Sequence, residues 1–200
     1  MEGLRPTDTL VDLGCGTGRL AVQVIPQLAG GHYVGIDIAE SMLGHARALI
    51  DARHPAPPCT VRWQRQTTEA FDLPDASVDL LCAFSVFTHM EHEDTFRYLV
   101  AARRVLRPGG RLLFSCLPMS LAAGREIFAD SATRDLAGRW AVVRNVTTTI
   151  EMIETLATMA GWKVRRWYAG DARVITTPGE AQPCALGQST CVLERPPMAR

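Results

Sequence analysis

Apolar residues along this chain fall in short continuous runs rather than in strict alternation with polar ones. TLVDLG (Thr9–Gly14), HYVGIDI (His32–Ile38), TVRWQR (Thr60–Arg65), SVDLLCAFSVF (Ser77–Phe87) and RLLFSCLP (Arg111–Pro118) each read as a strand. Segments with helical spacing lie among them. GRLAVQVIPQLA is interrupted late by Pro26, ESMLGHARALIDA covers Glu40–Ala52 with Ser41 near its start, and EDTFRYLVAARRVLRPGG is stopped by Pro108-Gly109-Gly110. HPAPPC (His54–Cys59) is a proline-rich surface connection. Strands covered by helices on both faces need uninterrupted apolar runs. Strand–helix repetition of this kind therefore predicts an α/β fold built on a doubly wound, mostly parallel sheet.

The tail changes character. Pro118 to Val146 shows no period and reads as a long excursion with room for one helix. Thr148–Gly161 reads as a helix, with Thr148 or Thr149 near its N-cap and Gly161 as its C-cap. WKVRRWYAG and GQSTCVLER read as two further strands joined by a loop rich in Gly and Pro. Residues 1–200 are expected to form one domain, with the excursion at about 118–146 shaping a site.

Composition narrows the field only modestly. The 200 residues, 47% hydrophobic, suffice for one substantial core. Lys+Arg and Asp+Glu are both 21, so no surplus of charge draws the chain to nucleic acid or anionic lipid. None of the six cysteines forms a C-x-x-C pair, and Cys15, Cys82 and Cys116 are expected as reduced, packed thiols. No apolar run is long enough to span a bilayer and the first residues carry no signal core, so the cytoplasm is the expected location.

The candidate chemistry begins in VDLGCGTGRL (Val11–Leu20). Three glycines, Gly14, Gly16 and Gly18, follow a strand that carries Asp12. Such a turn lets the backbone approach a ligand and sets a helix N-terminus beside it. GTGRLA also satisfies the dinucleotide fingerprint, with Asp37 about 20 residues on. Asp12 argues the other way. A carboxylate at that strand end repels a pyrophosphate but attracts an ammonium and a sulfonium, the cationic groups of S-adenosylmethionine (SAM). Asp37 can then accept from both ribose hydroxyls, and Ile38 can pack against the adenine.

VDLGCGTG, GIDIAESML, LPDASVDLLCAFSVFTHM and VLRPGGRLLFS occur in the order typical of class I SAM-dependent methyltransferases, which this sequence resembles. The likeness runs from about Thr9 to Leu117 and resumes at TTIEMIETLATMAGWKV and GQSTCVLER. It implies a Rossmann-like sheet of seven strands with the last antiparallel. It places Asp12, Gly14, Gly16 and Gly18 along the methionine part of the cofactor and Asp37 on the ribose. Cys15, Ile38, Met42, Phe84 and Ser85 complete the expected cofactor site. An acid after the third strand is expected near the adenine amino group, with Glu69 as first choice and Asp72 as second. The resemblance also implies helices before the first strand, where this sequence has only a few residues. The expected consequence is an open pocket, or one covered by Pro118–Val146, by a partner chain or in a homodimer.

Methyl transfer from a sulfonium is an in-line displacement, so the enzyme aligns the acceptor and removes its proton where needed. FSVFTHMEHED, after the fourth strand, is where the acceptor should lie. Phe87, Thr88 and His89 are expected to face it. His89 is the candidate base because an imidazole titrates near neutrality, with helix capping or packing as its plain alternative. The acids around His92 are read as helix N-terminal charge rather than as metal ligands. No Asn/Asp-Pro-Pro-Tyr/Phe string follows this strand, which disfavours adenine-N6 and glutamine acceptors. The expected function is methyl transfer to O or N of a small molecule. A nicotinamide-dependent oxidoreductase and a non-catalytic SAM-binding subunit are the alternatives, and aminopropyl transfer on the same fold ranks below both. In the excursion, convergence of Arg125, Arg134, Arg139 and Arg144 would point to an acidic or phosphorylated acceptor.

Overall fold

A computed structural model describes residues 3–175 and 184–197. Its first half alternates as the apolar runs predict: β1 (Thr9–Leu13), α1 (Arg19–Val24), β2 (His32–Asp37), α2 (Glu40–Arg53), β3 (Thr60–Arg65), β4 (Val78–Ala83), α3 (His92–Val105) and β5 (Leu106–Pro118). The tail adds α4 (Ala122–Thr133), α5 (Leu136–Trp140), the two-residue β6 (Thr147–Thr148), α6 (Ile150–Met159), β7 (Lys163–Tyr168), β8 (Arg173–Ile175), β9 (Cys184–Ala185) and β10 (Ser189–Glu194). The main sheet runs β3-β2-β1-β4-β5-β10-β7, with β6 pairing the end of β5. β10 is antiparallel to both its neighbours and the first five strands are parallel. This is the expected open, doubly wound sheet with its last strand antiparallel.

Successive residues of β1 explain the two helical layers. Leu10 packs with Ala21, Val24 and Ile50 of α1 and α2 on one face. Val11 packs with Leu99 of α3 and Ile153 of α6 on the other. β4 is buried at every position, so it carries no polar face. β3 departs from the uninterrupted pattern because it forms the sheet edge, and its residues are exposed or half-buried in turn. Trp63 lies edge-on to Tyr33 there. Trp162 is buried with its indole N–H donating to the Leu99 carbonyl at 3.0 Å, and Trp167 bonds Glu154. These rings pack within the fold, and none of them lines the cleft described below.

Several boundaries moved. α3 ends at Val105, because Leu106 is already extended (φ −70°, ψ 137°) and Arg107 precedes a proline. Pro108-Gly109-Gly110 is thus the entry of β5. Gly109 N donates to the Arg195 carbonyl and Arg195 N to the Gly110 carbonyl, which ties the turn to the chain leaving β10. β4 ends at Ala83, and Phe87–His89 form a single 3-10 turn. The excursion holds two helices rather than one. Thr149, not Thr148, caps α6, with its hydroxyl accepting from Met152 N at 3.1 Å. The loop before β10 carries the short β8–β9 pairing, whose intervening residues 176–183 lie outside the described residues. Cys15, Cys82 and Cys116 are buried free thiols. No described helix is long and apolar enough to cross a membrane.

Candidate active site

The three glycines after β1 all adopt left-handed backbone, with φ of 67° at Gly14, 53° at Gly16 and 85° at Gly18, which precedes α1. Two of them meet different needs. A Cβ on Gly14 would lie 2.4 Å from Val86 Cγ2, so a side chain is excluded by contact. A Cβ on Gly16 would meet nothing within 4 Å, so the loop there faces open space. Asp37 binds this loop to the end of β2. One of its oxygens accepts from Gly16 N at 2.9 Å and the other from Ala39 N at 2.9 Å.

A cleft of about 330 Å³ opens at the carboxyl ends of β1, β2 and β4. It brings together Gly14, Asp37, Ile38, Ser85 and His89 from the expected set, and adds Gln66, Val86, Met90 and Tyr98. Ile38 is 65% exposed there, an apolar side chain held open to a ligand. Among the described residues, neither Lys nor Arg lines the cleft. A diphosphate would find no cationic side chain, and one carboxylate would oppose it.

The other expected cofactor residues lie around the cleft without lining it. Asp12 is 3% exposed beneath the loop and accepts from Tyr33 Oη at 2.7 Å. Cys15 is buried, and burial pushes its thiol well up. Met42 is exposed on the first turn of α2, and Phe84 packs into the core beside α1. Glu69 pairs with Arg97 of α3, and Asp72 pairs with Arg62 at 3.1 Å. A backbone hydrogen bond at Glu69, followed by the Arg97 contact, holds the Glu69 carboxyl below its usual range.

The position after β3 that does reach the cleft is Gln66. It is nine-tenths buried, its Nε2 donates to the Thr68 carbonyl at 2.8 Å, and its Oε1 has no hydrogen-bond partner. An orphaned acceptor at this depth calls for a donor. Sequence reasoning searched for an acid and passed over it, because a carboxamide leaves no charge signal. Its place directly after a parallel strand was the available cue.

His89 also lines the cleft, and its Nδ1 lies 2.9 Å from the Arg144 carbonyl. A carbonyl only accepts, so Nδ1 carries the proton and Nε2 of the neutral ring presents a lone pair. Phe87 and Thr88, expected beside His89, are buried instead. Phe87 packs edge-on to Phe114, 5.0 Å between centroids. His92 bonds Thr148 Oγ1 at 3.1 Å, and no group of three or more His, Cys, Asp or Glu among the described residues could hold a metal.

The end of the excursion contacts the turn that carries His89. Val146 N donates to the Thr88 carbonyl at 2.7 Å, and Arg144 pairs with Glu91 while lying over the Trp140 ring. Of the described arginines, Arg134 and Arg144 line one cavity of about 300 Å³ together with Glu126 and Asp130. Arg125 donates to the Met119 and Ser120 carbonyls and Arg134 pairs with Asp130, while the side chain of Arg139 lies outside the described residues. Each of the two that share a cavity faces an acid, Asp130 for Arg134 and Glu91 for Arg144, and neither lines the cleft that holds Gly14 and Asp37.

The cleft fits SAM on its own chemistry. Asp37 keeps lone pairs beyond its two backbone bonds for ribose hydroxyls, Gln66 Oε1 suits an exocyclic amine, and Ile38 suits a planar base. Residues 10–110 match the family described as methyltransferase domain. The chain belongs to the class I SAM-dependent methyltransferases. This membership decides the reading of GTGRLA against a nicotinamide cofactor.

Relatives of this chain include O-methyltransferase resE from Aspergillus sclerotiorum, 36% identical over 129 residues, covering 60% of this chain and 46% of the relative. The ubiquinone/menaquinone biosynthesis C-methyltransferase UbiE from Acidiphilium cryptum is 37% identical over 129 residues, covering 62% and 48%. The chain thus spans less than half the length of these curated relatives. A SAM-dependent methyltransferase structure from Methanosarcina mazei superposes with a TM-score of 0.73 at 15% identity, covering 98% of this chain and 95% of that one. It shows the same fold.

Asp12 makes the glycine loop sensitive to pH. Burial, opposed by the Tyr33 hydroxyl and reinforced by the charge of Asp37, pushes its carboxyl from 3.8 up to about 7. The native state then holds the proton more tightly than the unfolded chain. The stability this contributes is complete below about pH 4 and is lost as pH rises to about 7, in total on the order of 4 kcal/mol. Thermal melts of Asp12→Asn test this. The variant should gain stability relative to the natural chain between pH 4 and 7, with a constant difference above. A difference that does not change with pH would rule out a buried, titrating Asp12.

Proposed function

We propose that this chain binds SAM in the cleft and transfers its methyl group to O or N of a small-molecule acceptor, releasing S-adenosylhomocysteine. The observation that carries the reading is the Asp37–Gly16 bond, which ties a ribose-binding carboxylate to a glycine loop with free space above it. When bound, SAM supplies a methyl group already activated by a positively charged sulfur. The chain supplies the rest. Asp37 and Gln66 fix the nucleoside end. Asp12, lying below the loop, provides negative charge for the cationic end through a low-dielectric interior once it is ionised, above about pH 7. It acts without lining the cleft.

His89 is the acceptor-side residue. Its Nε2 lone pair takes the proton of an attacking hydroxyl or amine, while the Arg144 carbonyl holds the ring and its tautomer. The relatives named above include both an O- and a C-methyltransferase, so their names do not assign the attacked atom. A base poised in the cleft favours an acceptor that must lose a proton from O or N. His89→Ala should lower turnover by about 100-fold or more while SAM affinity changes by less than about threefold. Equal losses in both would reduce His89 to packing.

The function is tested by incubating the protein with methyl-labelled SAM and panels of phenols, carboxylic acids and amines. Acceptor-dependent release of S-adenosylhomocysteine is the expected result. Tight SAM binding with no release across the panels would favour the non-catalytic subunit.

A further inference from the structure

Ser85 is one of two described non-glycine residues in left-handed backbone, with φ of 56°. A side chain makes that conformation sterically unfavourable, so its neighbours must hold it. Three hydrogen bonds do so. Ser85 N donates to Ser115 Oγ at 2.7 Å, Ser115 Oγ donates to Gln188 Oε1 at 2.6 Å, and Ser85 Oγ donates to the same Gln188 oxygen at 3.2 Å. Ser115 is fully buried in β5, and Gln188 directly precedes β10. Because the Ser115 proton is directed to Gln188, its oxygen lone pairs are left to receive the Ser85 amide. Removing the Gln188 oxygen frees that hydroxyl to turn.

The strained turn has two dependants. Val86, the next residue, occupies the space where a side chain on Gly14 would lie. The 3-10 turn that follows carries His89 into the cleft. A contact made at the antiparallel strand thus reaches both the glycine loop and the candidate base.

We propose that Gln188 is a positioning residue: through Ser115 and Ser85 it holds the left-handed turn that seats Val86 against Gly14 and sets His89 at the cleft. This rests on the reading of the cleft as the SAM site. What matters is the acceptor oxygen, so Gln188→Met, close in shape and lacking it, removes the function, and Gln188→Glu, which keeps acceptor oxygens, restores it.

Amide hydrogen exchange and calorimetric titration with SAM test the relay. In Gln188→Met, exchange at Ser85–His89 should rise about tenfold while the amides of β1 and β4 keep their protection. SAM affinity should fall by about three- to tenfold. Gln188→Glu should match the natural chain in both. Ser115→Ala, which removes the middle link, should reproduce the Met pattern. Unchanged exchange at Ser85–His89, exchange raised equally across the sheet, or Gln188→Glu behaving as Gln188→Met would each overturn the proposal. A natural chain that takes up no SAM would overturn the cofactor reading instead, and the exchange arm would still report on the relay.

Discussion

Gly16→Val is expected to abolish SAM binding, with a loss above about 100-fold. Two effects act together. Gly16 holds φ at 53°, a region that a β-branched residue enters only at a cost of about 1–2 kcal/mol or more. The added side chain would also stand in the space above the loop, where no protein atom lies within 4 Å. That free space is why the substitution should spare the core. Calorimetry should show no SAM uptake, and circular dichroism should show a folded protein. Gly16→Ala adds less bulk and should lose less. Retained affinity in Gly16→Val would mean that the ligand passes elsewhere.

Asp37→Ala is expected to weaken SAM binding by roughly 1–3 kcal/mol, about 5- to 150-fold. The substitution removes the ribose acceptor and also leaves the Gly16 and Ala39 amides without their partner. Asp37→Asn separates these roles. Its amide oxygen keeps one backbone bond, and its NH₂ cannot accept from a ribose hydroxyl. The remaining oxygen keeps a lone pair, so Asn should retain more of the thermal stability than Ala and lose a smaller share of the affinity. Unchanged SAM affinity in both variants would remove Asp37 from the site.

The architecture was legible because each parallel strand buries both faces and so leaves a continuous apolar run, with β4 the clearest case. Helix ends were less legible. Pro108 marks where α3 can no longer continue, yet the chain leaves the helix earlier, at the residues before it. The excursion gave no period because α4 and α5 lie on the surface, where Phe128 and Trp140 are exposed and no core imposes a stripe.

At the site, the loop glycines and Asp37 were readable because their spacing reflects backbone geometry. Asp12 was readable as an acid in a buried strand but its partner was not, since Tyr33 is 21 residues away on β2. Glu69 attracted attention by its charge, which Arg97 of α3 takes up. Gln66 and the Gln188–Ser115–Ser85 contacts were silent. They depend on uncharged groups brought together by sheet register, which composition and spacing do not encode.

The most direct measurement is the melting temperature of the natural chain titrated with SAM, S-adenosylhomocysteine and NADH at pH 8. The account predicts a saturable rise with the first two and none with NADH. A rise with NADH alone would show that the glycine loop holds a diphosphate and would contradict the account.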